Sequence, residues 1–204
     1  MNNNSPLGII MATRIEADPF IRGLRLSAIE KKPFAVLGNE EVILAISGIG
    51  KSNAAIAAAH LISRYHPERI FNLGAAGSAS GKQDIGTIMH INKIVELDRV
   101  RPFSVKPVIH KPDVLDGFSQ AALATQDRPV LAPEDRAAAD QYADCIDMEG
   151  AAIVQACRAY GIKVYLFKII TDTAESGESD IIRNILNTRI RLFEFFIEKI
   201  RPII

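Results

Sequence analysis

The stretch from Cys145 to Ser176 constrains the fold more than any other part of the chain. Within it, Gly150–Tyr160 contains only two strongly polar residues, Gln155 and Arg158, which are three positions apart. A helix with that pattern exposes one narrow edge to water and is otherwise buried. Gly161 follows at the place where a helix commonly ends in a left-handed residue. The pattern therefore predicts a buried helix that ends at a glycine.

A second buried element follows that helix. Val164–Ile170 is apolar except for Lys168, which is typical of a strand covered on both faces. A helix followed by such a strand is the repeat of a parallel α/β sheet, whose ligands bind beyond the carboxyl ends of the strands. Three carboxylates, Asp147, Glu149 and Asp172, stand where these elements begin or end. We therefore expect all three near a ligand site.

The rest of the chain alternates in the same way. The sequence predicts strands at 7–12, 34–37, 42–47, 69–73, 85–97 and 121–125, and helices at 16–26, 51–65, from 133 onward and at 180–200. At 204 residues the chain has the size of one α/β domain. We expect an N-terminal tail at 1–6 and a single domain at 7–204.

The charge balance, the lengths of the apolar runs and the cysteine spacing disfavour several classes of function. Lys plus Arg and Asp plus Glu number 24 each, with no long run of either sign, which disfavours a nucleic-acid or anionic-membrane surface. The N-terminus lacks a signal-peptide pattern and no apolar run is long enough to span a membrane, so we expect a cytoplasmic protein. Cys145 and Cys157 lack metal-site spacing and are expected to be free, buried thiols. We predict neither a metal nor a cofactor.

Gly50-Lys51-Ser52 matches the end of a phosphate-binding loop of nucleotide hydrolases. The full motif requires a glycine at position 45, where this chain has Ala45. We favour a glycine turn that opens the helix at 51–65. Gly74–Ser78, after the strand at 69–73, is either a tight turn or a place where backbone N–H groups approach a ligand.

Two further segments have ordinary interpretations. His90 lies in an alternating strand pattern and is expected to be a satisfied sheet residue rather than a catalytic base. The stretch 98–118 contains three prolines and several charges, and it is predicted to be a mobile surface loop that closes over the site.

Four motifs in order resemble a known family. They are LGIIMATRIE from Leu7, GIGKSNAA from Gly48 leading to NLGAAGS at Asn72, DMEGAA from Asp147 and IITDTA from Ile169. Together they resemble the nucleoside phosphorylase and nucleosidase superfamily, and within it the methylthioadenosine/S-adenosylhomocysteine nucleosidases. The resemblance runs from Leu7 to about residue 200. It implies a three-layer αβα domain around a mixed, largely parallel twisted sheet, and hydrolysis of the N-glycosidic bond of a purine nucleoside.

The resemblance also implies roles for residues. Asp172 is implied to be the general acid at the purine N7, with burial raising its pKa, although a cap between two threonines explains it equally well from the residues alone. Glu149 is implied to accept hydrogen bonds from the ribose hydroxyls, and Met148 to pack on the sugar, a core position being the alternative. Thr171 and Asp147 complete the substrate-binding positions at these strand ends.

The first loop bears on the choice of nucleophile. Glu16 aligns with the glutamate that activates water in the nucleosidases, although an acidic residue at a helix start needs no further reason. Asn72 stands where phosphorylases carry an arginine, which favours water over phosphate, while Arg14 is a possible phosphate contact. Ala75, Ala76 and Gly77 are predicted to bind substrate through the glycine-rich segment.

Several departures from the family pattern leave the substrate open. Ala75 and Thr171 each stand where a serine is common, Lys168 replaces an arginine, and the stretch at 125–130 lacks the phenylalanine that stacks on adenine. Nucleosides of the futalosine or adenosylhopane type fit as well as methylthioadenosine. A phosphate-dependent purine nucleoside phosphorylase and a non-catalytic nucleoside-binding protein are the alternative functions. The expected partners are a small nucleoside and further copies of the chain in a homodimer or larger homo-oligomer.

Overall fold

The computed structural model describes residues 5–79, 81, 83–99 and 106–204. Its strands and helices follow the alternation predicted from the sequence. The strands are β1 Leu7–Met11, β2 Ser27–Glu30, β3 Ala35–Gly38, β4 Val42–Ile46, β5 Arg69–Ser78, β6 Ile88–Glu96, β7 Val108–His110, β8 Gln120–Thr125, β9 Cys145–Asp147 and β10 Lys163–Asp172. The α-helices are α1 Arg14–Gly23, α2 Lys51–Tyr65, α3 Pro133–Asp140, α4 Gly150–Ala159 and α5 Glu178–Phe195, and a π-helical turn, Phe196–Ile200, prolongs α5.

The ten strands form one mixed sheet in the order β10-β6-β8-β9-β5-β1-β4-β3-β2, with β7 beside β6. β5 also pairs with β10, so five strands close into a ring. Strands β4, β1, β5 and β10 are mutually parallel, whereas the pairs at both flanks include antiparallel ones. The sheet is therefore mixed with a parallel centre, as the sequence predicted.

Helices cover both faces of the sheet. Successive side chains of β1 point to opposite faces, so Ile10 packs in one core and Ile9 and Met11 pack in the other. The first core joins the sheet to α2 and α4, and the second joins it to α1 and α5. The predicted three-layer αβα architecture is confirmed.

Three local predictions differ from the structure. The strand predicted at 69–73 continues as β5 to Ser78, so the segment from Gly74 is extended rather than a tight turn. Both edges of that segment are paired, with β10 along Gly74–Gly77 and with β9 at Gly77 and Ser78, and this pairing outweighs the weak strand propensity of glycine and alanine. Helix α1 ends at Gly23, three residues before the predicted end, and β2 was not predicted.

The stretch 98–118 is not a loose surface loop where it is described; residues 100–105 lie outside the described residues. Val108–His110 forms β7, and Phe118 packs edge-on against Phe167 in β10. The backbone N–H of Leu115 donates to His90 Nε2 at 2.8 Å. This part of the chain closes over the sheet edge and adds to its core.

His90 is a satisfied sheet residue, as predicted. Its Nδ1 lies 2.9 Å from the Leu166 carbonyl oxygen, and its ring stacks on Phe167 with centroids 4.1 Å apart. Because Nε2 accepts from a backbone N–H, Nδ1 is the donor and the ring is neutral. Burial lowers the pKa of His90 further from its ordinary value.

The two cysteines are free and buried, as predicted. Burial raises the pKa of the Cys157 thiol to about 12 and also raises the pKa of Cys145, so neither forms a thiolate readily at neutral pH. Within the described ranges, no helix is both long enough and apolar enough to cross a membrane.

A buried ion pair joins β10 to β9. Lys168 Nζ lies 2.8 Å from Asp147 Oδ2, and both side chains are 2% exposed or less. Although burial disfavours its charge, the carboxylates of Asp147 and Glu149 raise the pKa of Lys168 above its ordinary value. Asp147 also accepts from the Thr125 hydroxyl at 2.6 Å and from the Gly150 N–H at 2.8 Å. The one charged residue of the apolar run Val164–Ile170 therefore has a defined partner.

We predict that Lys168→Met lowers the free energy of unfolding by about 3–5 kcal/mol, because it leaves Asp147 as an unpaired buried charge. Adding Asp147→Asn restores part of the loss, since the amide needs no counter-ion. Chemical denaturation measures both, with Lys163→Met on the exposed start of the same strand as the control. Equal losses in the single and double variants would contradict the pairing.

Candidate active site

A cavity of about 190 Å³ opens where β1, β5, β9 and β10 end. Its walls come from the first loop, the small residues of β5, the segment between β9 and α4, the end of β10, the segment before α3, and α5. The lining residues are Ala12, Thr13, Glu16, Ile49, Ala75, Ala76, Gly77, Arg128, Pro129, Val130, Leu131, Arg136, Ile146, Asp147, Met148, Glu149, Thr171, Asp172, Ile181 and Ile185. Every residue that the sequence predicted for catalysis or substrate binding is among them.

Glu16 is held rigidly at the start of α1. The Thr13 N–H and hydroxyl both donate to Glu16 Oε2, at 3.0 and 2.6 Å, while the Glu16 N–H donates to the Thr13 hydroxyl. This reciprocal capping fixes the glutamate. Its other oxygen, Oε1, accepts from the Ala75 N–H at 2.8 Å. Glu16 thus caps the helix and also presents a buried carboxylate to the cavity.

Asp172 lies at the end of β10 against the backbone of β5. The Thr171 hydroxyl donates to Asp172 Oδ1 at 3.0 Å. The Arg136 guanidinium, from α3, donates through Nη2 to Asp172 Oδ2 and through Nη1 to the Ser78 carbonyl oxygen at 2.7 Å. A Cβ on Gly77 would lie 2.6 Å from Asp172 Oδ2, so only glycine leaves room for this arrangement.

Glu149 immediately precedes α4 and lines the same cavity as the other two carboxylates. The Gly50 N–H donates to its Oε1 at 2.9 Å, and the φ of +99° at Gly50 that aims this N–H is one that glycine adopts without strain. Burial, together with the nearby charge of Asp147, raises the pKa of Glu149 to about 7. Met148 lines the cavity next to it. Glu149 is therefore a carboxylate that changes its charge near neutral pH.

Asp147 contributes differently from the other predicted site residues. Its counter-ion is the enclosed Lys168, and its oxygens also accept hydrogen bonds from the Thr125 hydroxyl and the Gly150 N–H. Its side chain is 1% exposed. Asp147 thus holds the wall on which Met148 and Glu149 are mounted.

The residues that bear on phosphate binding do not line the cavity. Arg14 is exposed and is not among the residues that line the cavity. Asn72 is buried within β5 and donates to the Ile10 carbonyl oxygen at 3.1 Å. Lys51 Nζ binds Glu96 and Asp98, at 2.9 and 2.5 Å, which confirms that the Gly50-Lys51-Ser52 segment is a helix start rather than a phosphate loop.

Sequence reasoning missed Arg136 and the contribution of α5, namely Ile181 and Ile185. Arg136 follows Glu134 and Asp135, which are acidic residues in the first turn of α3, so its place in the sequence gives no sign that it pairs with a distant carboxylate. The stretch lacking an aromatic residue places Arg128 and Pro129 in the cavity wall instead. Among the described residues, no cluster of three or more His, Cys, Asp or Glu side chains is arranged to hold a metal ion.

Comparison with known proteins agrees with this geometry. A model of the phosphorylase superfamily matches residues 7–130 and 115–191. The chain belongs to that superfamily. The resemblance predicted from the four motifs is therefore confirmed.

Several relatives of the chain bear the names of nucleosidases. The 5′-methylthioadenosine/S-adenosylhomocysteine nucleosidase of Hydrogenovibrio crunogenus is 32% identical, with 66% of this chain and 68% of that protein covered. Among solved structures, the Campylobacter jejuni protein of the same name matches with a TM-score of 0.83 and 20% identity over 96% of this chain and 98% of that one. A futalosine hydrolase mutant from Helicobacter pylori matches with a TM-score of 0.83 and 17% identity over 96% and 100%. Both structures share the fold of this superfamily member.

The raised pKa of Glu149 predicts a pH-dependent stability. Between pH 4.5 and 7 the folded protein keeps a proton on Glu149 that the unfolded chain loses, so stability falls as pH rises through that window. Relative to Glu149→Gln, the wild-type free energy of unfolding should fall by on the order of 2 kcal/mol from pH 5 to pH 8. Denaturant unfolding at the two pH values measures the difference, with the exposed Glu40→Gln as the control. A difference that stays constant would contradict the shift.

Proposed function

We propose that the protein is a nucleosidase that hydrolyses the N-glycosidic bond of a purine nucleoside and releases the free base and the sugar. The spacing of Glu16 and Asp172 along β5 carries this proposal. Glu16 lies against Gly74 and Ala75, and Asp172 lies against Gly77. The two contact points are three strand residues apart, about 10 Å of backbone, with the small residues of β5 between them. Two carboxylates at different points of one cavity let one protonate the leaving group while the other activates water.

Each carboxylate then has a distinct task. Asp172 donates a proton to N7 of the departing base, and Glu16 orients and deprotonates the water that attacks the sugar. Glu149 accepts from the ribose hydroxyls, and its negative charge stabilises the positive charge that builds on the sugar in the transition state. Met148 supplies an apolar surface for the sugar, and the backbone of Ala75 and Ala76 lines the same wall.

Water is favoured over phosphate as the nucleophile. A phosphate nucleophile needs cationic donors next to the sugar. The basic residues that line the cavity are Arg128 and Arg136, and the latter binds Asp172 on the side of the base. On the side of the nucleophile, Glu16 presents a carboxylate, which repels phosphate and suits water.

The names of the relatives and structural neighbours, which include methylthioadenosine/S-adenosylhomocysteine nucleosidases and a futalosine hydrolase, support a 5′-modified purine nucleoside as the substrate and leave the base open. The cavity wall also contains three apolar side chains, Ile49, Ile181 and Ile185, which suit an apolar 5′ group. We further propose a cytoplasmic homodimer or larger homo-oligomer. Supporting the latter, Ile182, Leu186 and Ile190 form an apolar stripe along α5 whose side chains are 43–55% exposed.

Asp172→Asn should lower the rate of base release by about 10²–10⁴-fold while nucleoside binding is retained, because the amide fills the same space but cannot donate the proton. Chromatography of released base measures the rate, and calorimetry measures binding. The exposed Glu175→Gln nearby should behave as wild type. An unchanged rate in Asp172→Asn would remove this residue from the role of acid.

Glu16→Gln should abolish most hydrolysis, again by about 10²–10⁴-fold, and phosphate should neither be required by the wild type nor rescue the variant. The assay is base release from methylthioadenosine, S-adenosylhomocysteine, adenosine, inosine and futalosine, each with and without phosphate. Asp18→Asn, in the same helix but outside the cavity wall, is the matched control. Base release that depends on phosphate would identify a phosphorylase instead.

A further inference from the structure

Arg136 is a buried cation in the cavity wall with donors to spare. Its side chain is 3% exposed, and it donates to the Ser78 carbonyl oxygen and to Asp172. A guanidinium has five N–H donors and no acceptor. Within the described part of the chain, Arg136 Nε has no hydrogen-bond partner. The contacts with Ser78 and Asp172 each use one hydrogen of an NH2 group, and Arg136 lines the cavity, so the second N–H groups of Nη1 and Nη2 are suited to a ligand that accepts hydrogen bonds.

The position of Arg136 relative to Asp172 determines which part of the ligand it meets. A Cβ on Gly77 would lie 2.6 Å from Asp172 Oδ2 and 2.9 Å from Arg136 Nη1, so the two side chains lie side by side against one point of the β5 backbone. If Asp172 serves N7 of a purine, the neighbouring group meets the substituent at C6, since N7 and that substituent share one edge of the ring.

The chemistry of that edge separates two classes of purine. A 6-oxopurine presents O6 there, next to N7, and this acceptor suits an arginine N–H that lies beside Asp172. Adenine presents N7 and an amino group that is itself a donor, so a guanidinium facing it leaves donors on both sides unpaired.

The same contact bears on the reaction. As the N-glycosidic bond breaks, the electron pair of that bond moves to the base, and in a 6-oxopurine part of the negative charge resides on O6. A fixed cation at that position stabilises the charge as it develops. Asp172 delivers its proton to N7, so the base leaves as a neutral molecule and water supplies the hydroxyl group of the sugar.

We propose that Arg136 makes the protein selective for purine nucleosides with a carbonyl at C6, that is, for hypoxanthine- or guanine-type bases over adenine. This inference rests on the proposed nucleosidase function and names the class of base. Arg136 acts as a binding residue for the base and for its leaving charge.

The test compares inosine, adenosine and purine riboside, and their 5′-methylthio derivatives, as substrates of the wild-type protein. The kcat/KM of each 6-oxo compound should exceed that of its 6-amino partner by about 100-fold or more, because a site built for an acceptor rejects the analogue that lacks it. Purine riboside has no substituent at C6. Any effect of an Arg136 substitution on its cleavage therefore comes through Asp172 and not through a contact with the base at C6.

In Arg136→Met, kcat/KM for the 6-oxo compounds should fall by at least about ten-fold more than for purine riboside, and the discrimination against adenine should collapse. Arg136→Lys keeps the charge without the planar fork and should retain part of the preference. Equal losses for all three bases would reduce Arg136 to a residue that only positions Asp172, and would overturn the proposal. If the variants do not fold, the wild-type kcat/KM values for the 6-oxo and 6-amino substrates still test the proposed selectivity.

The outcomes also separate this inference from the proposed function. Release of adenine as fast as hypoxanthine or faster would overturn the selectivity and leave the nucleosidase function standing. If no nucleoside is cleaved, the proposed function fails, and calorimetry with the free bases tests Arg136 directly. Tighter binding of hypoxanthine than adenine in the wild type supports the inference, and equal affinity overturns it.

Discussion

The whole site depends on how closely side chains approach the second half of β5. A Cβ on Gly74 would lie 2.8 Å from Glu16 Oε1, and one on Gly77 would lie 2.6 Å from Asp172 Oδ2. The glycines therefore let two carboxylates from distant parts of the chain rest against one strand. Because β5 is paired on both edges, its spacing is rigid, and the distance between the carboxylates is set by the sheet rather than by loops.

The buried charges around this strand do not all have a counter-ion. The set comprises Glu16, Asp147, Glu149 and Asp172 with Lys168 and Arg136, all buried. Each cation pairs with one carboxylate, Lys168 with Asp147 and Arg136 with Asp172. Within the described residues, Glu16 and Glu149 are held by N–H and O–H donors and have no cation in contact. Their negative charge is thus available to a cationic transition state, and the raised pKa of Glu149 shows what it costs to maintain that charge without a partner.

Periodicity predicted most of the layers, because buried helices and strands carry local patterns. Helix α2 has the predicted bounds, and the carboxylates predicted at strand ends converge as expected. Long-range pairing was not predictable in the same way. The glycines and alanines of β5 have the local pattern of a turn, and only pairing with β10 and β9 keeps them extended. Arg136 was missed because it reaches Asp172 across 36 residues, from a short helix with no distinctive pattern.

The two buried ion pairs show how the same interaction has different consequences in different surroundings. Lys168 and Asp147 are almost fully enclosed, and the hydrogen bonds to Asp147 come entirely from the protein, so this pair holds β9 against β10. The Arg136–Asp172 pair instead lines the cavity, where Asp172 is 11% exposed. The contacts of Arg136 with Ser78 and Asp172 use one hydrogen each of Nη1 and Nη2. The remaining hydrogens of these two groups suit the acceptors on the edge of a purine base, so the same kind of ion pair that holds two strands together can here bind a ligand.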